Sequence, residues 1–138
     1  MVRSVENLPL VAVLMIDLDR FATVNQKHGH DAGDSVLREV GKALESVLRV
    51  EDVLGRYGGE EFCAVLRDSS VDDAQVVAER LRFLVASTLI EHKDTRLHIT
   101  VSIGVAASAT MPPHELVATA ERALALAKSK GRNRVESL

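Results

Sequence analysis

The sequence has one cysteine, no tryptophan, three prolines and no long apolar run in its 138 residues. Cys63 cannot close an internal disulfide and has no Cys or His partners at zinc-ligand spacing, which excludes a disulfide scaffold and a zinc module. A reducing, cytoplasmic setting is expected. Aromatic residues make up 3% of the chain, too few for the stacking platforms of single-strand nucleic-acid binders. The net charge of -3 lacks the basic field that draws a protein to a nucleic-acid polymer or an anionic membrane. The longest apolar run, Leu8 to Ile16, falls well short of the roughly 20 residues of a membrane span and follows acidic Glu6 rather than a basic leader. No membrane contact is expected of this segment, so any anchor of a full-length protein would lie outside it.

What is present is ordinary for a globular protein: 46% hydrophobic and 27% charged residues, with no internal repeat and no Pro/Ser-rich linker. Residues 1–138 are expected to form a single domain around one core.

Leu10 to Ile16 is a continuous apolar run, too short for a typical helix and rich in β-formers; it reads as a strand buried on both faces that delivers Asp17 at its end. A polar loop containing Gly29 and Gly33 follows. Asp34 to Leu48 then places Val36, Leu37, Val40, Ala43, Leu44, Val47 and Leu48 at helical spacing, with Asp34 a candidate cap. Val53–Tyr57 and Phe62–Leu66 flank Gly58-Gly59, which predicts a hairpin because glycine reaches the positive φ angles of tight turns. A helix is predicted over Asp72–Leu89, a strand over Leu97–Ala106, and a last helix from Pro112-Pro113 to a stop at Gly131, before a short final strand. This order predicts an α+β fold, a sheet with helices packed on it.

Asp17 at a strand end and Glu60 and Glu61 on a glycine hairpin supply hard oxygen ligands of the kind magnesium prefers, and neighbouring strands would bring them together. Any one of these acids read alone is better explained as a solvated strand end. Their conjunction with the surrounding motifs decides between the readings.

Arg56-Tyr57-Gly58-Gly59-Glu60-Glu61-Phe62 resembles the signature hairpin of the GGDEF domain family. Asp17-Leu18-Asp19-Arg20-Phe21 is similar to the family's first metal and phosphate segment, and the stretch from Asn25 to Asp34 is similar to its N-D-x-x-G-H-x-x-G-D loop. The late strand Thr100–Ala106 and the close Ala127-Lys128-Ser129-Lys130-Gly131-Arg132-Asn133 follow in the family's order, so the resemblance runs from about Val11 to Val135.

The resemblance implies a mainly antiparallel sheet flanked by helices, like nucleotidyl-cyclase and polymerase-palm domains, and a diguanylate cyclase activity. Two GTP would be condensed into cyclic di-GMP and two pyrophosphates by a homodimer. It implies that Asp17, the Leu18 carbonyl and Glu60 hold Mg2+ or Mn2+, with Glu61 in support, and that Glu60 faces the attacking 3'-hydroxyl. Asn25 and Asp34 match the guanine readers, and a carboxylate accepting from the ring N–H and amino group disfavours adenine. Backbone N–H groups of Asp19, Arg20 and Phe21 would meet the phosphates with Lys128 and Arg132, although those two also read as a solvated helix end. Gly58 and Gly59 would let the nucleotide approach, and His30 is either beside it or a local turn residue. Arg49-Val50-Glu51-Asp52 matches the R-x-x-D site at which cyclic di-GMP inhibits the family; the same pattern also describes a helix-end ion pair.

Some positions depart from the family pattern. Ala22 stands where the family often has a phosphate-facing lysine, Gln26 replaces an aspartate, and the D-x-L-T-G-L-x-N-R opening is missing before Val11. These departures lead to the expectation of a fragment of a longer signalling protein without its N-terminal regulatory part. They also keep open an alternative: a weak or inactive module that binds GTP or cyclic di-GMP as a sensor.

Overall fold

Apolar residues at nearly every position from Val11 onward demand cover on both sides, and the computed structural model, which describes residues 9–138, provides it. Glu6, Leu8 and the region of the missing opening lie outside the described residues. Strand β1 (Val11–Leu18) runs antiparallel to β3 (Glu61–Arg67) on one side and to β6 (Val101–Ser108) on the other. With β2 (Val53–Arg56) outside β3 and β7 (Val135–Ser137) parallel to β6, the sheet order is β2-β3-β1-β6-β7. The fold is α+β with a mainly antiparallel sheet, as the sequence predicts.

Successive side chains of β1 go to opposite layers. Ala12, Leu14, Ile16 and Leu18 join Phe62, Ala64, Leu66, Ile103 and Val105 beneath α2 (His30–Val47) and α3 (Val71–Ser87). Val13 and Met15 join Ala106, Leu116, Ala120 and Leu124 beneath α4 (Pro113–Ser129). Full burial of each large aliphatic side chain contributes about 2 kcal/mol. Asp17, two residues beyond Met15, therefore belongs to the α4 layer, and its register partner across β3 is Glu61.

Gly104 sets the distance of α4 from the sheet. A Cβ there would overlap the Ala120 carbonyl and the Leu124 backbone nitrogen, so only glycine lets the helix backbone lie directly on β6.

Several boundaries differ from expectation. The segment after β1 is not a loop: α1 (Phe21–His28) fills it, and α2 starts at His30 immediately after Gly29, whose φ of 88° breaks the two helices apart. Asp34 consequently lies inside α2 rather than capping it. Predicted strand Leu97–Ala106 is divided, because Leu97 ends a separate hairpin of β4 (Ile90–His92) and β5 (Thr95–Leu97), and β6 begins only at Val101. The α3 helix ends at Ser87, two residues before Leu89. Gly58 and Gly59 are not among the residues with positive φ; their turn closes through the Tyr57 N–H and the Gly58 N–H, which both donate to the Glu61 carbonyl, at 2.8 and 3.4 Å.

Candidate active site

The β1–β3 register places Asp17 directly opposite Glu61, and the Leu18 N–H donates to the Glu60 carbonyl at 3.2 Å, which ties the hairpin to the end of β1. Asp17 is 4% exposed, and its Oδ2 pairs with Lys128 Nζ, delivered from the last turn of α4. Its Oδ1 is buried and has no hydrogen-bond partner among the described residues. Burial first, and then the charge of Asp17, push the Glu60 and Glu61 carboxyls above the usual glutamate range; Glu121 adds to the effect on Glu61, and Lys128 opposes both shifts. Among the described residues no group of three or more His, Cys, Asp or Glu side chains converges as placed to hold a metal ion, and Lys128 supplies the local positive charge. An orphaned buried carboxylate oxygen beside two repelling glutamates fits a hard divalent cation.

Asp19 sits in the turn after β1, and its side chain is fully engaged within the protein. Thr100 Oγ1 donates to Oδ2 and Ser102 Oγ to Oδ1, each at 2.6 Å, and the Asn133 N–H donates to Oδ2 at 3.0 Å. The Asp19 N–H is likewise taken, by the Thr100 carbonyl at 2.9 Å. Of the N–H groups around Asp19 to Phe21 expected to face phosphate, that of Asp19 is bonded within the protein, and Phe21 opens α1, whose first N–H groups have no intrahelical acceptor. Ala22, at the second position of α1, is exposed and brings no charge.

The C-terminal end of α4 closes in a Schellman motif: the Arg132 N–H donates to the Ala127 carbonyl at 3.0 Å and the Gly131 N–H to the Lys128 carbonyl at 3.3 Å. Gly131 has φ 123°, the conformation this cap requires. Lys128 and Arg132 thus leave one helix end, but only Lys128 reaches Asp17.

Asn25 and Asp34 lie on α1 and α2. The two helices cross closely because Gly33 has no side chain; a Cβ there would meet the Asn25 carboxamide and the Phe21 ring. Asp34 lines a cleft of about 380 Å³ with Leu37, Arg38, Gly41, Arg56 and Phe62. Arg56 bridges this cleft to the hairpin, donating to the Gly59 carbonyl at 2.7 Å while its guanidinium lies 5.9 Å from the Phe62 ring centroid. Arg56, Glu121 and Asn133 also take part, and of these Arg56 and Asn133 lie within the hairpin and closing segments that resemble the family. The space above Gly59 is open. His30 is exposed at the start of α2.

Arg49 and Asp52 come together between α2 and β2. The guanidinium donates to Asp52 at 3.1 and 3.3 Å and also to the Arg67 carbonyl at 2.9 Å, and the Arg49 N–H donates to Asp52 at 2.8 Å. This is the helix-end ion pair, and it raises the Arg49 pKa further through the Asp52 hydrogen bond and charge. The pair stands apart from the acidic cluster.

Residues 3–134 match the family described as Diguanylate cyclase, GGDEF domain. Diguanylate cyclase A of Treponema denticola is 40% identical over 96% of the chain, and the response regulator PleD of Caulobacter vibrioides is 41% identical over 91%. The matched segment spans only 36% and 28% of those proteins. Among solved structures, the GGDEF domain of DgcB from Caulobacter crescentus, in complex with c-di-GMP, superimposes with a TM-score of 0.88 at 30% identity, covering 95% of this chain and 79% of that one. The active GGEEF domain of a diguanylate cyclase from Vibrio cholerae gives 0.84 at 32% identity, covering 92% and 81%.

Proposed function

Because the chain belongs to the diguanylate cyclase GGDEF-domain family, we propose that it condenses two GTP into cyclic di-GMP and two pyrophosphates, one GTP being presented by each copy of a homodimer. The cross-strand pair of Asp17 and Glu61, with Glu60 and Lys128 in the same field, carries this reading. Each 3'-hydroxyl attacks the other nucleotide's α-phosphate, a P–O bond forms, and pyrophosphate leaves. Glu60 faces the attacking 3'-hydroxyl and takes its proton. Mg2+ or Mn2+ held by Asp17, the Leu18 carbonyl and Glu60, with Glu61 in support, would neutralise the charge developing on the phosphate.

The remaining roles divide along the nucleotide. Lys128, Arg132 and the N–H groups of Arg20 and Phe21 take the phosphates, and Asn25 and Asp34 take the guanine edge. Gly58 and Gly59 admit it over the hairpin, with His30 at the periphery. Arg49 and Asp52 form a separate site for cyclic di-GMP, their mutual ion pair opening to accept the product's phosphate and base, and this gives product inhibition.

Uncharged Ala22 at the start of α1 favours a second reading, a module that binds GTP or cyclic di-GMP with little turnover. Concentrated protein incubated with GTP and Mg2+, followed by chromatography of the nucleotides, separates the two. Cyclic product that disappears in Glu60→Ala supports the cyclase; GTP binding without product at any protein concentration supports the sensor.

A further inference from the structure

Asp19 is 7% exposed, and both of its carboxylate oxygens are occupied by donors from Thr100, Ser102 and Asn133. Asn133 is itself held from the far side: its Oδ1 accepts from Arg82 Nη1 on α3 at 2.9 Å, and Arg82 Nε is braced by Glu79 at 2.9 and 3.0 Å. The loop so gripped is conformationally demanding. Gly131, Arg132 and Asn133 have φ of 123°, 65° and 48° in succession, and side-chain-bearing residues stay in the left-handed region only where their surroundings enforce it. The Schellman bonds hold the start of this run. Its end is held by Asp19 on one side and Arg82 on the other.

We propose that Asp19, Asn133 and Arg82 form a positioning clamp on the loop that carries Arg132 and closes α4 behind Lys128, and thereby ties α3 to phosphate binding. Asp19 acts through the loop and touches no ligand. The inference rests on the reading that Lys128 and Arg132 meet the GTP phosphates. A buried carboxylate with three donors is rigid, so it fixes Asn133 relative to the sheet while Arg82 braces the same residue from α3.

The test uses the full chain as wild type, Arg82→Met, Asn133→Gly and the double variant; glycine adopts the φ of position 133 without strain. Affinity for a non-hydrolysable GTP analogue is expected to fall roughly tenfold in each single variant, the scale of one charge-assisted hydrogen bond. Guanosine, which has no phosphates, should bind as in wild type, and the double variant should be no weaker than the worse single one, because both substitutions break one contact. Amide exchange at Arg132 and Asn133 should accelerate. Unchanged analogue affinity in both single variants, or an equal loss for guanosine, overturns the clamp. Lys128→Met and Arg132→Met locate the fault: if they also leave analogue affinity unchanged, the phosphate reading itself has failed and the clamp's purpose with it. If they weaken it while Arg82→Met and Asn133→Gly do not, the clamp alone is wrong.

Discussion

Lys128 Nζ, from the last turn of α4, forms an ion pair with Asp17 Oδ2 in the middle strand of the sheet. The carboxylate is 4% exposed and the glutamates beside it are raised in pKa, so this lysine is the cation that makes the cluster tolerable without a metal. Gly104 makes the pair possible, since α4 could not lie low enough for Lys128 to reach β1 over a larger residue.

Removing this internal cation should favour an external one. In Lys128→Met, Mn2+ binding without nucleotide, followed by electron paramagnetic resonance, is expected to tighten severalfold, while affinity for a GTP analogue falls. Lys130→Gln is the control, because Lys130 pairs with Glu136 instead. Equal tightening in both variants would mean a general field effect and not competition at Asp17.

The raised carboxyls make a pH prediction with a definite sign. A glutamate whose pKa is higher in the folded than in the unfolded state favours folding below the ordinary glutamate range, and this contribution is lost as pH rises through the folded value. Glu61 follows this pattern through burial, Asp17 and Glu121. Glu61→Gln should therefore melt above wild type at about pH 7, with the difference vanishing toward about pH 4. Melting curves that differ equally at both values would contradict the repulsion.

The strand bearing Asp17 and the glycine hairpin were legible because each has a strong local signal: an unbroken apolar run in one case, turn glycines between β-formers in the other. Helix α1 was not. Of its residues only Phe21 is buried, so it shows no apolar period and is held by its packing on α2 at Gly33. The β4–β5 hairpin turns at Lys93, with φ 54°, where no glycine or proline marks a turn. The engagement of Asp19 was hidden for a different reason, since the two hydroxyls and the backbone N–H that donate to its carboxylate lie 81, 83 and 114 residues away along the chain. Metal and base candidates were carried by family motifs, whereas the contacts that hold those motifs in place belong to tertiary structure.

Gly104→Ala tests the packing that supports the site. The added methyl meets α4 backbone on two sides, and backbone cannot rotate away as a side chain can. A loss of about 2 kcal/mol or more in urea unfolding is expected. Because Lys128 rides on the displaced helix, affinity for a GTP analogue should fall as well; stability close to wild type would show that α4 shifts freely on β6.

Base selectivity is expected to turn on Asp34. It lies on α2 beside Arg56 and Phe62 in the cleft next to the hairpin, and as a carboxylate it only accepts hydrogen bonds. Guanine offers two donors on one edge, its ring N–H and amino group; adenine presents a ring acceptor there, which would leave a carboxylate facing a lone pair. In Asp34→Asn the amide can turn a donor toward that acceptor, so the penalty against adenine is relieved while one bond to guanine is lost. The ratio of GTP to ATP affinity should fall by roughly 10- to 100-fold, with the fold intact because Asp34 is exposed. An unchanged ratio would move guanine recognition to Asn25 or to Arg56, and Asn25→Ala and Arg56→Ala, measured the same way, would tell which.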